Sequence, residues 1–374
     1  MKRQNITLFI LFFFLLFSCT SKTTKQTPVL ALEDSAAIVE EPEIPLPELE
    51  EGEVYYKNKD PFNGVVDLTG TQMVADTVIF KLGETEMLIK DNRLIMKNIN
   101  APIRVFQLPD LKFIGERGTV GNGPNEFLAY SLILSCDDDV LSYVYNKGYI
   151  YKITTDDELV FNRYKFTDKI KQFDEKQMAE TKKDNFVYIE NSKTGKSIFH
   201  VNFENDTAVH KEILSLALTS RMKSWVPYIG DFVVNPQRNR MAYAYKYFKI
   251  IKFMDLEAKT IRTINFEKEK FDEGTLYKLD GMDQNTTHYW GACAGKDYVY
   301  FLYSGRTPSD VWKEGQKGLH YIFVEQYDWN GNPIKKYKLD QWGRFTVDEK
   351  DQKIYLASTN HDDPFFIYNL PVIH

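Results

Sequence analysis

The sequence has no excess of basic charge, few cysteines and histidines, and no apolar run long enough to cross a membrane as a helix. Its net charge is −6 at pH 7, so it presents no basic field to a phosphate backbone, and nucleic acid is not an expected partner. No His-Glu-x-x-His occurs among its six histidines, which argues against zinc. No Gly-Lys-Ser/Thr accompanies the glycines of 115–123, which argues against a nucleotide.

Apolar and aromatic residues are abundant, at 43% and 14% of the 374 residues. A wholly disordered chain lacks the apolar surface needed to offset its ordering entropy, so most of this chain is expected to fold. The length allows two or three average domains, but all-β propellers and barrels often exceed that size as single units.

The N-terminus has the charge order of a secretory signal. Lysine and arginine at positions 2 and 3 precede an apolar run over 8–17, which is too short to span about 30 Å of hydrocarbon. The run ends in Leu16-Phe17-Ser18-Cys19, which resembles the bacterial lipoprotein box, in which the cysteine thiol receives diacylglycerol. We therefore predict a lipid anchor at Cys19. An ordinary cleaved signal with a chance cysteine is the alternative.

A proline- and glutamate-rich segment follows the predicted anchor. Residues 20–60 contain ten acidic residues against four lysines, a composition typical of a flexible linker; an acidic binding tail is the alternative. We therefore divide the chain into a signal peptide over 1–18, the lipidated cysteine and linker over 19–60, and a folded domain over 61–374.

Six repeats are recognisable in the folded domain. Helical periodicity is scarce, whereas short β-branched and aromatic runs with period-two alternation recur. One strand recurs with successive spacings of 47, 46, 54, 58 and 55 residues, and a partner strand follows each copy. In the fifth unit an insertion over 304–319 separates the two strands.

The last repeat reaches the end of the sequence before an outer strand can form. An unpaired strand over 77–81 precedes the first repeat. Because closing a ring hides the edges that an open array would expose, we predict that this N-terminal strand completes the last blade. The predicted fold is all-β, a six-bladed β-propeller with four-stranded antiparallel blades.

Residues 61–374 resemble the TolB-like six-bladed propeller lipoproteins of Bacteroidetes-type bacteria, which are relatives of NHL-repeat propellers. The most specific match is a glycine-rich turn between the first two blades, Gly115-Glu116-Arg117-Gly118 leading to Gly121-Asn122-Gly123-Pro124-Asn125-Glu126-Phe127, which is similar to the family's Gly-x-Gly-Pro-x-Glu-Phe turn. The resemblance implies the fold and an envelope location, and no particular activity.

The two faces of the predicted propeller differ in their loops. Blade-to-blade connections share a face with the loops between strands two and three, and this face holds the long connections 217–230 and 267–290 and every tryptophan except Trp329. Aromatic and arginine side chains dominate binding hot spots, and loops on a rigid scaffold carry function. We therefore predict that this face binds a ligand or partner. The candidate residues are Trp225, Tyr228, Trp290, Trp312, Trp342, Arg117, Arg221, Arg306, Arg344, His288 and His361. Packing of the tryptophans beneath loops is the alternative.

An axial calcium site is the enzymatic alternative, since the chain resembles calcium-dependent six-bladed lactonases in which inner-strand carboxylates and amides converge on a cation. The candidate ligands are Glu86, Glu180, Asp231 and Asn235. A second possible calcium cluster over 137–139 falls where a hairpin must turn, and aspartate is favoured in turns. No Ser-His-Asp order or glycosidase carboxylate pair stands out.

Cys136 and Cys293 lie on inner strands of the second and fifth units. These units are opposite one another in a six-fold ring, beyond the roughly 7 Å Cα separation that a disulfide allows. We therefore expect free thiols.

Together these patterns predict a lipid-anchored envelope protein that acts as a non-catalytic binding or scaffold module. No cofactor is expected, and the expected partners are the membrane and a protein or glycan of the envelope. Residues 21–24 lack the acidic tag that sends such lipoproteins to the surface, which favours the periplasmic side of the outer membrane. A calcium-dependent lactonase or lyase and a glycan-binding accessory protein remain the alternatives.

Overall fold

The computed structural model describes most of the predicted folded domain and a short stretch before it. The described residues are 52–56, 60–77, 85–98, 100–123, 126–134, 140–153, 163–167, 176–193, 195–204, 207–218, 224–266, 271–272, 274 and 284–371. The predicted signal peptide and Cys19 lie outside them. In this part of the chain, no helix combines the length and apolarity needed to cross a membrane.

The described residues form a six-bladed β-propeller. Three short strands precede the repeats: β1 (Glu53–Tyr55), β2 (Val66–Leu68) and β3 (Thr71–Met73). Blade one contains β4 (Glu86–Lys90), β5 (Arg93–Lys97), β6 (Ile103–Gln107) and β7 (Lys112–Arg117). Blade two contains β8 (Tyr130–Leu134), β9 (Val140–Val144), β10 (Tyr149–Ile153) and β11 (Arg163–Lys165). Blade three contains β12 (Met178–Lys182), β13 (Asn185–Ser192), β14 (Gly195–Glu204) and β15 (Thr207–Ser215).

The second half of the ring repeats the same plan. Blade four contains β16 (Gly230–Asn235), β17 (Arg240–Tyr245), β18 (Ile250–Met254) and β19 (Thr260–Asn265). Blade five contains β20 (Thr287–Ala294), β21 (Tyr298–Arg306), β22 (Ile322–Asp328) and β23 (Pro333–Leu339), with helix α1 (Pro308–Gly315) inserted between β21 and β22. Blade six contains β24 (Gly343–Asp348), β25 (Lys353–Ser358) and β26 (Phe365–Asn369).

The recurring strand of the sequence is the second strand of each blade, and its predicted partner is the third. These middle strands are buried on both sides, because alternate side chains point to the two neighbouring blades. In β17, Tyr243 packs in the cluster shared with blade three, and Ala242 packs in the cluster shared with blade five. Among the described residues, one hydrophobic cluster lies at each of the six blade-to-blade interfaces.

An N-terminal strand closes the ring, as predicted, but it is not the expected one. Strand β3 pairs antiparallel with β26, with Thr71 opposite Ile367 and Met73 opposite Phe365. In the predicted strand over 77–81, Thr77 lies in a bend, and the other residues fall outside the described ones. The outermost strand of a blade is half solvated, so Thr71 and the residue after it are polar and exposed, and hydrophobic patterning passes over them.

Two further strands extend the sheets of blades four and five. Strand β1 pairs parallel with β19, and β2 pairs parallel with β23. The chain therefore runs along the outer edges of blades four, five and six before it enters blade one. Glu53 lies within the range predicted as linker, so the part of the chain that pairs with the propeller extends into that range.

A buried ionic network fastens this N-terminal stretch to blade five. The Lys336 ammonium lies 2.8 Å from Asp60 and 3.1 Å from Glu325. The other oxygen of Glu325 accepts hydrogen bonds from the Tyr289 and Tyr327 hydroxyls, at 3.3 and 3.2 Å. Burial lowers the pKa of Lys336, but the Glu325 and Asp60 carboxylates outweigh it and the net direction is upward. The lysine therefore stays charged inside the blade.

The glycine-rich turn between blades one and two is held by its own glutamate. The Glu126 carboxylate accepts the Gly123 N–H at 2.6 Å, and a Cβ added at Gly121 would collide with that carboxylate. The Lys147 ammonium donates to the Glu126 carbonyl at 2.7 Å. Phe127 is 2% exposed and packs between the two blades. Within the described residues, the turn therefore has a structural role.

Replacing Glu126 with Ala is expected to lower the free energy of unfolding by about 1.5 kcal/mol, because it removes a charged acceptor from a backbone N–H. Urea unfolding measures the change. Glu116→Ala is the matched control, since the Glu116 side chain is 44% exposed and pairs with Arg104 at 3.2 Å, and such surface pairs contribute less than about 1 kcal/mol. Equal losses in the two variants would contradict the structural role of Glu126.

Candidate functional site

Tryptophans on the face of the blade-to-blade connections occupy two kinds of environment. We call this the long-connection face. Trp225 and Trp312 are 41% and 54% exposed, whereas Trp290 and Trp342 are half-buried against the core between blades five and six. The fifth tryptophan, Trp329, is buried near the opposite face, where its indole N–H donates to the Gly295 carbonyl at 3.2 Å.

A β-bulge turns Trp290 out of the regular strand pattern. The register of β20 with β21 shifts between Tyr289 and Ala292, so Trp290 and Gly291 lie together opposite Leu302. Bulges re-aim side chains and are common next to functional sites. Here the bulge lies on the inner strand of blade five, which lines the channel.

Two cations from different blades contact the Trp290 ring. The Lys246 ammonium, from the β17–β18 turn, lies 4.6 Å from the ring centroid, and the Arg344 guanidinium, from inner strand β24, lies 4.7 Å from it. Arg344 also donates to the Trp290 carbonyl at 2.6 Å. The Trp342 ring lies 6.5 Å from the Trp290 ring. The two cation contacts with the Trp290 ring are attractive because the faces of indole rings are electron-rich.

A single carboxylate, Asp231, lies beside these cations at the start of inner strand β16. Burial raises its pKa to about 6, although Arg344, Lys246 and the Gly291 N–H each act in the opposite direction. Among the described residues, Asp231 and Arg344 do not form a direct ion pair. We call Asp231, Lys246, Trp290, Trp342 and Arg344 the mouth cluster, because they lie where the inner strands of blades four, five and six begin.

The insertion of blade five folds against this cluster through Arg306. Its guanidinium forms an ion pair with Glu314 of α1, donates to the Tyr321 carbonyl at 2.6 Å and stacks 4.0 Å from the Tyr321 ring centroid. The Arg306 side chain is 11% exposed. Arg306 therefore holds the insertion in place, and Trp312 on α1 remains open to solvent.

The two predicted residues in the connection into blade four, Trp225 and Tyr228, lie in different environments. The Lys196 ammonium lies 5.4 Å from the exposed ring of Trp225, and burial together with Lys176 lowers the pKa of Lys196 to about 8, against the opposing effect of Glu190. Tyr228 is fully buried in the core between blades three and four. The short helical turn around Tyr228 packs its ring inward, and its contact with a ligand stays a prediction.

The remaining predicted residues are not part of the mouth cluster as defined, although the His288 backbone N–H donates to the Lys246 carbonyl at 2.7 Å. Arg117 belongs to outer strand β7 and donates to the Glu116 carbonyl. His288 is 2% exposed and stacks on Tyr303, and its ligand contact stays a prediction. His361 is half-buried in blade six, 2.9 Å from the side chain of Gln341. Arg221 lies outside the described residues.

The four candidate axial ligands have separate partners. Glu86 forms an ion pair with Lys97 at 2.9 Å, Glu180 accepts the Asp184 N–H at 3.2 Å, and Asn235 donates to the Gly295 carbonyl at 3.0 Å. Asp231 belongs to the mouth cluster, where Arg344 and Lys246 are the nearby charges. Among the described residues, no group of three His, Cys, Asp or Glu side chains could hold a metal ion; the cluster over 137–139 lies outside them.

Cys293 is a free thiol, half-buried on β20 and 3.6 Å from the Thr346 hydroxyl. Burial raises its pKa to about 11, so it is protonated and unreactive at neutral pH. Cys136 lies outside the described residues.

Lys246, Gly291 and helix α1 were not among the features predicted from the sequence. The loop between strands two and three of blade four lies on the long-connection face, so the strand register could have placed Lys246 there. The helix also had a signal, because Thr307 accepts the Asp310 N–H and Pro308 occupies the first turn, the usual start of a helix. The bulge at Gly291 had no sequence signal.

Fold and site together define a six-bladed β-propeller with a cationic and aromatic cluster at one end of its channel. Residues 86–350 match the family model described as TolB-like 6-blade propeller-like. The chain therefore belongs to the TolB-like six-blade propeller family.

Two solved structures from Bacteroides species are similar to the chain. A candidate exported protein of Bacteroides fragilis aligns with a TM-score of 0.55 and 11% identity, over 86% of this chain and 100% of that one. A member of the DUF4221 family from Bacteroides vulgatus aligns with a TM-score of 0.54 and 13% identity, over 81% and 95%. At such identities the likeness shows the fold alone. A comparison with curated protein sequences finds no match.

Proposed function

We propose that the protein is a lipid-anchored binding or scaffold module of the cell envelope, and that it takes its ligand or partner on the long-connection face around the mouth cluster. The observation that carries the proposal is the approach of Lys246 and Arg344, from two blades, to the bulged Trp290 of a third. Aromatic and arginine side chains in one partly buried cluster are typical of binding hot spots. The role requires no chemical step.

The envelope location is supported by the N-terminal sequence and by the description of one similar structure. The lipoprotein-box motif at Ser18-Cys19 and the linker after it would tether the propeller to a membrane. The similar protein of Bacteroides fragilis is itself described as exported. Anchoring on the periplasmic side of the outer membrane fits the lack of acidic residues over 21–24.

Crosslinking in native envelopes followed by affinity capture tests this function. The amount of captured partner is expected to fall at least about tenfold in a variant with Trp290→Ala and Trp342→Ala, because truncating a hot-spot residue commonly costs about 2 kcal/mol or more of binding free energy. A variant with Arg240→Gln and Arg262→Gln is the matched control, since these arginines bond Asn330 and Asn332 in the turns of the opposite face. Both variants must unfold cooperatively.

Two outcomes would contradict the proposal. Equal capture by the tryptophan variant and the wild type would place the contact elsewhere, and the absence of any bound molecule would exclude a scaffold role under those conditions.

The same envelopes test the anchor, because Cys19→Ser is expected to move the protein from the membrane fraction to the supernatant. A Cys19→Ser protein that stays with the membrane would contradict lipidation.

A further inference from the structure

The Arg344 guanidinium is held in one orientation with most of its donors uncommitted. A guanidinium has five N–H groups, and within the described part of the chain Arg344 donates one hydrogen bond, to the Trp290 carbonyl. Its Cζ atom lies over the Trp290 ring, which fixes the plane of the fork. A rigid planar fork is suited to bidentate pairing with a carboxylate.

Asp231, the carboxylate of the mouth cluster, does not pair with the Arg344 guanidinium among the described residues. The positive charges of Arg344 and Lys246 lower the pKa of Asp231, but Asp231 forms no direct ion pair with Arg344 among the described residues. Its oxygens take the Gly291 N–H instead, which the bulge of β20 presents. Among the described residues, Asp231 therefore leaves the donors of Arg344 available for the carboxylate of a ligand.

Resting on the proposed function, we propose that the mouth cluster binds an acidic saccharide, with a uronate carboxylate on Arg344 and the sugar ring against Trp342. The cluster lies among three inner strands, and it combines two indole rings with a few polar groups, the composition typical of small-ligand sites. The flat face of an indole packs against the C–H groups of a pyranose ring. The cations select an acidic sugar over a neutral one.

Asp231 makes this binding depend on pH. The charged or titratable groups that face it are Arg344 from β24, Lys246 from the β17–β18 turn and Tyr243 from β17. Above its pKa of about 6, Asp231 is ionised and repels a second carboxylate. As the pH falls through that value, Asp231 becomes neutral while a uronate, with an acidity near that of an α-carboxyl group, stays charged. Affinity is therefore expected to rise as the pH falls.

Titration calorimetry with trigalacturonate and neutral galactotriose tests the proposal. The wild type is expected to bind trigalacturonate and not galactotriose, and the affinity is expected to rise about fivefold from pH 7.5 to pH 5.0. Arg344→Gln should weaken binding at least about tenfold. Asp231→Asn should bind at pH 7.5 as tightly as the wild type does at pH 5.0, with no pH dependence. Arg240→Gln, on the opposite face, is the matched control.

Each other result overturns the proposal in a different way. Equal binding of the two sugars would show that the cations do not select the ligand. Binding of a hexaglutamate peptide in place of trigalacturonate, with the same dependence on Arg344, would assign the site to an acidic protein segment. No binding of any probe by a cooperatively folded wild type would reject the saccharide, whereas a partner captured through Trp290 and Trp342 would leave the proposed function standing.

Discussion

A chain that begins at residue 75 is expected to melt about 10 °C below a chain that begins at residue 69 and to aggregate on heating. The shorter chain lacks β3, so the backbone of β26 becomes an exposed edge. It also lacks Met73, which packs against the cluster containing Phe365 and Leu94. Losing a buried methionine costs about 2–5 kcal/mol, each unmade hydrogen bond adds on the order of 1 kcal/mol, and a domain of this size loses roughly 2 °C per kcal/mol.

A chain that begins at residue 52 completes the series, because it retains all three N-terminal strands. Differential scanning calorimetry should place it several degrees above the chain that begins at residue 69, because residues 52–68 supply Phe62, which is buried in the core between blades four and five, and Asp60, which pairs with Lys336. If the chain that begins at residue 75 melted within about 2 °C of the one that begins at residue 69, β3 would not be what closes the ring.

Lys336→Met is expected to lower the free energy of unfolding by about 3–5 kcal/mol, because removing one partner of a buried ion pair leaves the other charge uncompensated. The Glu325 side chain is 1% exposed, and without the lysine only the hydroxyls of Tyr289 and Tyr327 face its carboxylate in the network described above. Chemical denaturation monitored by tryptophan fluorescence measures the loss.

The double variant Lys336→Met, Glu325→Gln is the critical comparison. Glutamine keeps an oxygen for the two tyrosines and removes the buried charge, so more than half of the lost stability should return. Asp60→Asn should cost less than about 1 kcal/mol, since the Asp60 side chain is 43% exposed. A double variant no more stable than Lys336→Met alone would show that the loss comes from packing.

The pH dependence of the stability that this network contributes follows from the direction in which the pKa of Lys336 is shifted. The pKa of Lys336 is raised in the folded protein, so the stability it contributes is fully present below the pKa of an unfolded lysine, about 10.4. It is lost only as the pH rises through the higher folded pKa. The contribution of the Lys336 charge to the stability of the wild-type protein should therefore be constant between pH 6 and pH 9.

The sequence was sufficient to predict the blades because their middle strands are buried on both faces. Strands such as β17 are almost continuously apolar, and six copies at regular spacing leave few other folds. Strands β1, β2 and β3 are three residues long and half exposed, so their pairing depends on distant partners that no local pattern reveals. The strand expected over 77–81 was chosen for its apolar residues, whereas an outer strand needs few.

The candidate site was predicted in outline and missed in detail for a similar reason. Loop rules placed Trp290, Trp342 and Arg344 on one face, and the structure brings these three residues together. The same rules also selected Tyr228 and His288, which are buried, because residue type does not reveal which way a side chain turns. The bulge that aims Trp290 is a shift of register, and register is set by the whole hairpin.

The order in which the N-terminal strands lie on blades four, five and six also determines how the molecule responds to mechanical load. A pull on the chain before Glu53 reaches β1 first, then β2, and only then β3. Releasing the first two strands would free residues 53–70, which at about 3.4 Å per residue extend by on the order of 60 Å, while every blade keeps four strands. Detachment of β1 and β2 would therefore lengthen the chain under tension before any force acts on the four-stranded blades.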